Sequence, residues 1–172
     1  MEQVSKEILD AIDGRREELE ANPEQLHHVV DTVLRPRFDV RYAARLVLAK
    51  YWSRATPPQR AAFMEALYAS LVRRYAIGIL YHSETRVRIT PLRWKLPDPD
   101  QTEDFITVWT TVTLDDGTEV PVNYDMRWVD PAWKVYDVKI EGRSYVAYFR
   151  QVMRDRIDRK GLDAVIEELK SS

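Results

Sequence analysis

The stretch FITVWTTVTLDDGTEVPVNYDMRWVDPAWKVYDVKI, residues 105–140, decides the fold. Phe105 to Leu114 and Val120 to Trp128 are long runs rich in β-branched and aromatic residues. Between them lies Asp115-Asp116-Gly117-Thr118, a hairpin turn in which Gly117 can take positive φ. Asp130-Pro131 then turns the chain into a third run, Trp133 to Ile140. Upstream, Val87 and Ile89 alternate with Arg86, Arg88 and Thr90, and Pro91 marks that strand as an edge. Residues 95–102, with Pro97, Asp98, Pro99 and Asp100, read as an exposed loop. Four strands joined in sequence predict an antiparallel meander with one face free to accept helices.

On both sides of these strands the period changes to that of a helix. Val4, Ile8 and Ile12 form a first stripe, on a helix expected to reach about Glu20. Asn22-Pro23-Glu24-Gln25 reads as a cap, a proline at the first helical position and a capping-box glutamine, before the stripe Leu26, Val29, Val30 and Val33. Arg35-Pro36 ends that helix, and Asp39 caps a third with Val40, Ala44, Val47, Leu48 and Tyr51 inward and Trp52 close by. The strongest start signal is Thr56-Pro57-Pro58-Gln59, which opens a helix from about 57 to 81 carrying Phe63, Leu67, Leu71 and Tyr75 at intervals of four. Its apolar stripe is wider than one contact seam requires. Glu141-Gly142-Arg143-Ser144 breaks the last strand, Ser144 caps a helix with Tyr145, Tyr148, Phe149, Val152 and Ile157, and Gly161 closes it. A final short helix holds Leu162, Val165, Ile166 and Leu169. Neither a repeat nor a linker divides the chain, so residues 1–172 read as one domain.

At 45% apolar residues the chain can build a real core, and its net charge of −2 gives no electrostatic footprint for nucleic acid or for an anionic membrane surface. It contains no cysteine, which removes disulfides, thiolate metal sites and cysteine nucleophiles. No apolar run approaches the roughly 20 residues needed to span a bilayer. Met1 to Lys6 lacks a basic n-region followed by an apolar stretch, so the chain is either cytoplasmic or a mature form whose export signal has been removed.

Signs of chemistry are few. His27 and His28 are adjacent on a helix and diverge by about 100°, which rules against a metal pair, and His82 reads as a dipole contact at a helix end. No serine sits in a G-x-S-x-G elbow, and neither a glycine-rich phosphate loop nor an H-E-x-x-H pair is present. No metal site and no cofactor are expected. Asp137 interrupts an apolar run with Tyr124 and Tyr136 possible neighbours, and a buried carboxylate beside a tyrosine could act as a general base. The simpler reading is that Asp137 faces solvent or pairs with an arginine.

The ordered segments resemble the MlaC family, the periplasmic phospholipid carriers also called toluene-tolerance proteins. The resemblance is carried by Phe38-Asp39, Leu48-Ala49-Lys50-Tyr51-Trp52, Ala55-Thr56-Pro57-Pro58-Gln59-Arg60 with Phe63, and then Tyr75 and Leu80. It resumes at Val120-Pro121-Val122-Asn123-Tyr124 and is densest at Trp133-Lys134-Val135-Tyr136-Asp137-Val138-Lys139-Ile140-Glu141-Gly142, followed by Ser144 and Arg150. Three departures stand out: Ala49 where the family often has glycine, Arg143 where an aliphatic residue is usual, and an aromatic helix start at Tyr145-Val146-Ala147-Tyr148-Phe149. Arg143 reads as a surface residue, with contact to a lipid phosphate as the alternative.

The resemblance implies an α+β fold in which helices pack on a curved four-stranded antiparallel sheet, a cystatin-like or nuclear-transport-factor-like cone with an apolar cavity. It implies a periplasmic phospholipid-binding shuttle of a Gram-negative bacterium, working without catalysis, its only bound molecule a phospholipid cargo; the sequence leaves the oligomeric state open, although a shuttle works most simply as a monomer. Its partners would be an outer-membrane lipoprotein–porin complex of the MlaA type and the MlaD-type substrate-binding ring of an inner-membrane ABC transporter, in a pathway that maintains outer-membrane lipid asymmetry. The expected acyl-chain contacts are Val47, Leu48 and Tyr51 on the third helix and Phe63, Leu67, Leu71 and Tyr75 on the long one. On the strands they are Val108, Val112, Val122, Tyr124, Met126, Val138 and Ile140, with Tyr145, Tyr148 and Phe149 closing one end. The rivals from other classes are a cone-fold enzyme using Asp137 with a tyrosine, and an interaction module with a fully packed core.

Overall fold

The computed structural model describes residues 7, 10–81, 86–89, 105–114, 116–129 and 131–171, with the backbone alone of 75, 77–81 and 86–89. Val4, Ile8, His82, Pro91 and the 95–102 loop lie outside the described residues. The remainder forms an α+β fold of helices α1 (Arg16–Ala21), α2 (Pro23–Leu34), α3 (Val40–Leu48), α4 (Pro57–Tyr81), α5 (Tyr145–Lys160) and α6 (Leu162–Ser171). The strands are β1 (Arg86–Ile89), β2 (Phe105–Thr113), β3 (Glu119–Val129), β4 (Ala132–Ile140) and the two-residue β5 (Arg143–Ser144). They form one antiparallel sheet in chain order, with β1 at an edge as the Val87–Ile89 reading expected.

The first helix does not run through to Glu20. Residues 10–12 are helical, but Gly14 takes φ +68°, a conformation that ends the helix, and the chain restarts as α1. Pro23 does open α2, yet the expected capping box fails: the Asn22 side chain caps nothing, and the Gln25 side chain instead accepts from Arg15 at 3.5 Å. The box at Thr56 does form. Its backbone N–H donates to Gln59 Oε1 at 2.9 Å, and the Gln59 N–H returns to Thr56 Oγ1 at 3.4 Å. At the β2–β3 turn Gly117 takes φ +83° and its N–H donates to the Leu114 carbonyl at 2.9 Å.

Between α3 and a short 3₁₀ turn (Ala49–Tyr51) the backbone is forced into an unfavourable region, with Ala49 at φ +46° and ψ −114°. A Cβ at positive φ crowds the neighbouring carbonyl and costs about 1–2 kcal/mol, so glycine is the natural residue here. Ala49→Gly is therefore expected to stabilise the protein by about 1 kcal/mol after the added freedom of the unfolded chain is subtracted. That corresponds to a rise of about 2–4 °C in the thermal midpoint, readable by circular dichroism.

Among the described residues, two helical clusters make up most of the buried core. One joins α3, α4, α5 and α6 through Val47, Leu48, Phe63, Leu67, Phe149 and Met153 among others. The second joins the N-terminal helices to α4 through Leu19, Leu26, Val30, Tyr68 and Val72. The wide stripe on α4 is thus explained by two helical seams, Phe63, Ala66 and Leu67 serving one and Tyr68, Val72 and Ala76 the other. Its width alone needs no cavity.

Candidate lipid-facing site

The sheet register decides which strand residues meet. Val108 pairs with Tyr124 and Tyr124 with Val138, Thr110 with Val122 and Val122 with Ile140, Val112 with Val120, and Ile106 with Met126. Directly opposed residues share a face, so Val108, Val112, Val122, Tyr124, Met126, Val138 and Ile140 all line one side of the sheet. The other side carries Thr107, Trp109, Asn123, Asp125, Arg127, Asp137 and Lys139. A register shift between Asp125 and Met126 adds one residue to β4, so that Val135, opposite Met126, joins the apolar side although it is odd-numbered beside Val138. Ile106, Val120 and Val135 belong to this face and were not among the expected contacts. Strict alternation finds Ile106 and Val120, but the bulge that turns Val135 inward leaves no trace in the sequence.

Most of this apolar face is half-buried: Val112, Val122, Tyr124, Met126, Val138 and Ile140 retain partial exposure, whereas Val108 and Val135 are buried. Among the described residues, neither helical cluster contains a residue of the sheet. The helical positions separate from it. Val47, Leu48, Phe63, Leu67 and Phe149 are buried in the α3–α6 cluster, and Tyr51, Leu71 and Tyr145 pack against its margin. Tyr148 is 54% exposed and meets Phe149 edge to face at 5.2 Å. Tyr75 lies on α4, its side chain outside the described set. A groove of about 360 Å³ opens where the end of α3 meets α5, with Val47, Leu48 and Tyr51 on its apolar side and Arg150, Gln151 and Arg154 opposite. None of its lining comes from the sheet.

The helices attach to the sheet along β4. Phe38 forms a parallel bridge with Val135, the Asp39 N–H donates to the Val135 carbonyl at 2.8 Å, and Asp39 Oδ1 caps α3 by accepting from the Tyr42 N–H at 3.0 Å. Asp39 Oδ2 accepts from Arg127 Nε at 3.1 Å and Nη2 at 2.5 Å, and the guanidinium also lies 4.6 Å from the Tyr42 ring centre. Asp125 is held between Thr107 Oγ1 at 2.8 Å and Lys139 Nζ at 2.7 Å. Arg143 is exposed.

Asp137 neither faces solvent nor pairs with an arginine. It is buried, accepting Ser144 Oγ at 2.5 Å on one oxygen and the Val146 N–H at 3.0 Å on the other, while Ser144 Oγ accepts the Ala147 N–H at 2.9 Å. The carboxylate thus completes the N-terminal cap of α5. Tyr124 points to the opposite side of the sheet, and Tyr136 stands edge-on to Tyr42 at 5.1 Å. Burial pushes the Tyr124 hydroxyl above its ordinary range and, with the nearby Asp125, Tyr42 and Asp137, raises that of Tyr136 to about 12. Both stay protonated at neutral pH. Asp137→Asn is expected to lower stability by about 1–2 kcal/mol, since one acceptor must become a donor facing another donor, and to leave lipid occupancy unchanged. Urea unfolding reads the first effect and lipid extraction the second.

Among the described residues no helix is long and apolar enough to cross a membrane, and no cluster of histidine, aspartate and glutamate could hold a metal. A solved phospholipid-binding protein from Ralstonia solanacearum, in complex with a phospholipid, is similar to this chain with a TM-score of 0.85 and 24% identity. The match covers 99% of this chain and 92% of that one. The toluene tolerance protein Ttg2D of Pseudomonas putida is 25% identical over 163 residues, 93% of this chain and 72% of that protein. The family model described as MlaC protein matches residues 2–171, nearly the full length, and on that match the chain belongs to the MlaC family.

Proposed function

We propose that this protein is a phospholipid carrier that shelters acyl chains against the apolar face of its sheet and performs no chemistry on them. The observation that carries the proposal is a half-buried row of aliphatic and aromatic residues across β2, β3 and β4 that takes no part in either helical core among the described residues. A sheet face this apolar needs a cover, and a lipid tail is one. Membership of the MlaC family and the phospholipid held by the Ralstonia solanacearum protein support the same reading.

The physical need for such a carrier is large. Two acyl chains expose about thirty methylenes, and at about 0.8 kcal/mol each their exposure to water costs on the order of 25 kcal/mol relative to a bilayer. A dry protein surface makes the transfer nearly neutral, which allows both loading and unloading. The acyl chains are placed against Val108, Val112, Val122, Tyr124, Met126, Val138 and Ile140. The helical positions expected from the sequence, Tyr51, Leu71, Tyr75, Tyr145 and Tyr148 with Val47, Leu48, Phe63, Leu67 and Phe149, remain candidates for contact with the cargo, the last five being packed in the helical cluster. On this reading the protein works in the periplasm, between an MlaA-type complex at the outer membrane and the MlaD-type ring of an ABC transporter at the inner one.

Mass spectrometry of an organic extract of the purified protein tests the proposal. Phospholipid near one molecule or more per chain is expected, and Val122→Trp, which places an indole in the centre of the row, is expected to lower that occupancy at least severalfold while the far-ultraviolet circular dichroism is retained. An empty extract from the unaltered protein, or full occupancy in Val122→Trp, would count against it.

A further inference from the structure

Tyr124 stands in the middle of the apolar row. Across the strands it is flanked by Val108 and Val138, and along β3 the next residues on the same face are Val122 and Met126. Side chains leave a sheet roughly at right angles, so the ring lifts its hydroxyl beyond the flanking valines, to the level where a cover lies. Among the described residues the face carries one other hydroxyl, that of Thr110, which donates to the Val122 carbonyl. The Tyr124 hydroxyl has no hydrogen-bond partner among the described residues, and burial alone, with no charged group contributing, pushes its ionisation above the ordinary range. It is therefore a neutral donor left without an acceptor. Arg127 and Lys139 lie on the opposite side of the sheet, paired with Asp39 and Asp125.

A hydroxyl with nothing to donate to is costly beneath an apolar cover, so whatever covers Tyr124 has to supply an acceptor. An acyl chain has none along its length, but it begins at an ester carbonyl, a neutral acceptor with no proton of its own. A phosphate oxygen fits less well, because it would bring a charge onto this face while Arg127 and Lys139 stand on the other. We infer that Tyr124 sets the depth and the chemical class of the cargo: its hydroxyl donates to an acyl-ester carbonyl of the bound lipid, so that the protein selects ester-linked over ether-linked phospholipid. The aliphatic row grips every methylene alike and leaves the chain free to slide, whereas this one contact fixes where the chain begins. The inference rests on the carrier reading and goes beyond it in naming the group that is recognised.

The test is to incubate the purified protein with excess vesicles holding equal amounts of dioleoyl phosphatidylglycerol and its dioleyl ether counterpart, recover the protein and quantify its lipid by mass spectrometry. The two lipids share headgroup and chain length and differ in the carbonyl. The unaltered protein should hold the ester over the ether by about five- to tenfold, because with the ether the hydroxyl stays unpaired. In Tyr124→Phe, which keeps the ring and removes the donor, the ratio should fall to within about twofold of equality. A merely structural role for Tyr124 would change the amount of lipid held but not that ratio. Equal uptake of the two lipids by the unaltered protein, uptake of neither, or an ester preference kept by Tyr124→Phe overturns the inference. The thermal midpoint of lipid-free protein gives a second reading: Tyr124→Phe should be no less stable than the unaltered chain, and a lower midpoint would overturn the inference by giving the hydroxyl a partner within the protein. If the protein as purified yields no phospholipid, the carrier reading falls as well; phospholipid without ester preference leaves that reading standing and removes only the part given to Tyr124.

Discussion

Replacing Asp39 with alanine is expected to destabilise the protein by about 2–3 kcal/mol, a fall of roughly 4–12 °C in the thermal midpoint. This one carboxylate joins three parts of the molecule. Oδ1 caps α3 through the Tyr42 N–H, Oδ2 accepts from Nε and Nη2 of Arg127 on β3, and the Asp39 backbone N–H donates to the Val135 carbonyl of β4. Loss of a cap alone is worth about 1 kcal/mol. The rest comes from leaving Arg127 without its counter-charge in a partly buried position; its side chain retains 32% exposure, which moderates the penalty by admitting water. Two further variants separate these contributions. Asp39→Asn keeps an acceptor for the Tyr42 N–H and should lose about half as much, and Asp39→Ala combined with Arg127→Leu should recover part of the loss because no unpaired charge remains. Urea unfolding measures all three, and a change below about 0.5 kcal/mol for Asp39→Ala would show that the helices are held to the sheet by something else.

Phe63→Ala should have the largest effect on stability, about 3–5 kcal/mol. The Phe63 side chain is fully buried among α3, α4, α5 and α6, and α3, α4 and α5 are anchored by their caps at Asp39, Thr56 and Ser144, which limits collapse into the space left behind. The loss should be the same for protein stripped of lipid by organic extraction and refolding as for protein as purified, because Phe63 touches protein. A loss that vanished in the stripped form would instead put an acyl chain against Phe63. Tyr148→Ala is the natural control: the ring is exposed on α5, and a change within about 0.5 kcal/mol is expected.

Much of the fold is written locally. Asp39, Thr56 and Ser144 cap helices in the structure as their side chains and neighbours predict, because a cap is settled within three or four residues of chain. The strands from Phe105 to Ile140 lie within a residue or so of their expected ends, and the alternation of Val108, Val122, Tyr124 and Met126 was enough to place them on one face. Asn22 shows the limit of a local signal: its side chain stays uncapped while Gln25 turns to Arg15, a partner ten residues away.

The site itself was less legible. Asp137 in isolation looks like a base or a surface charge, and only the approach of Ser144 and Val146 in the folded chain makes it a cap. The same holds for the helical residues. Phe63 and Leu67 share their period with any lipid-lining helix, and it takes α3, α5 and α6 closing around them to make them core. The wide stripe of α4 carried the same ambiguity, since one helix serving two seams has the composition of one helix facing a cavity.

By itself the sequence determined the order of helices and strands, most of their boundaries, the antiparallel meander and the family, because these depend on periodicity, caps and turns that act over a few residues. Tertiary structure decided which apolar residues join the two helical clusters and which lie on the sheet outside them among the described residues, the inward turn of Val135 at the β4 bulge, and the clamp of Asp39 on Arg127. Those outcomes depend on pairings between residues far apart in the chain, 88 positions in the case of Asp39 and Arg127. A hydrophobic side chain is drawn from water with the same force whatever covers it, so its identity cannot specify whether the cover is protein or lipid.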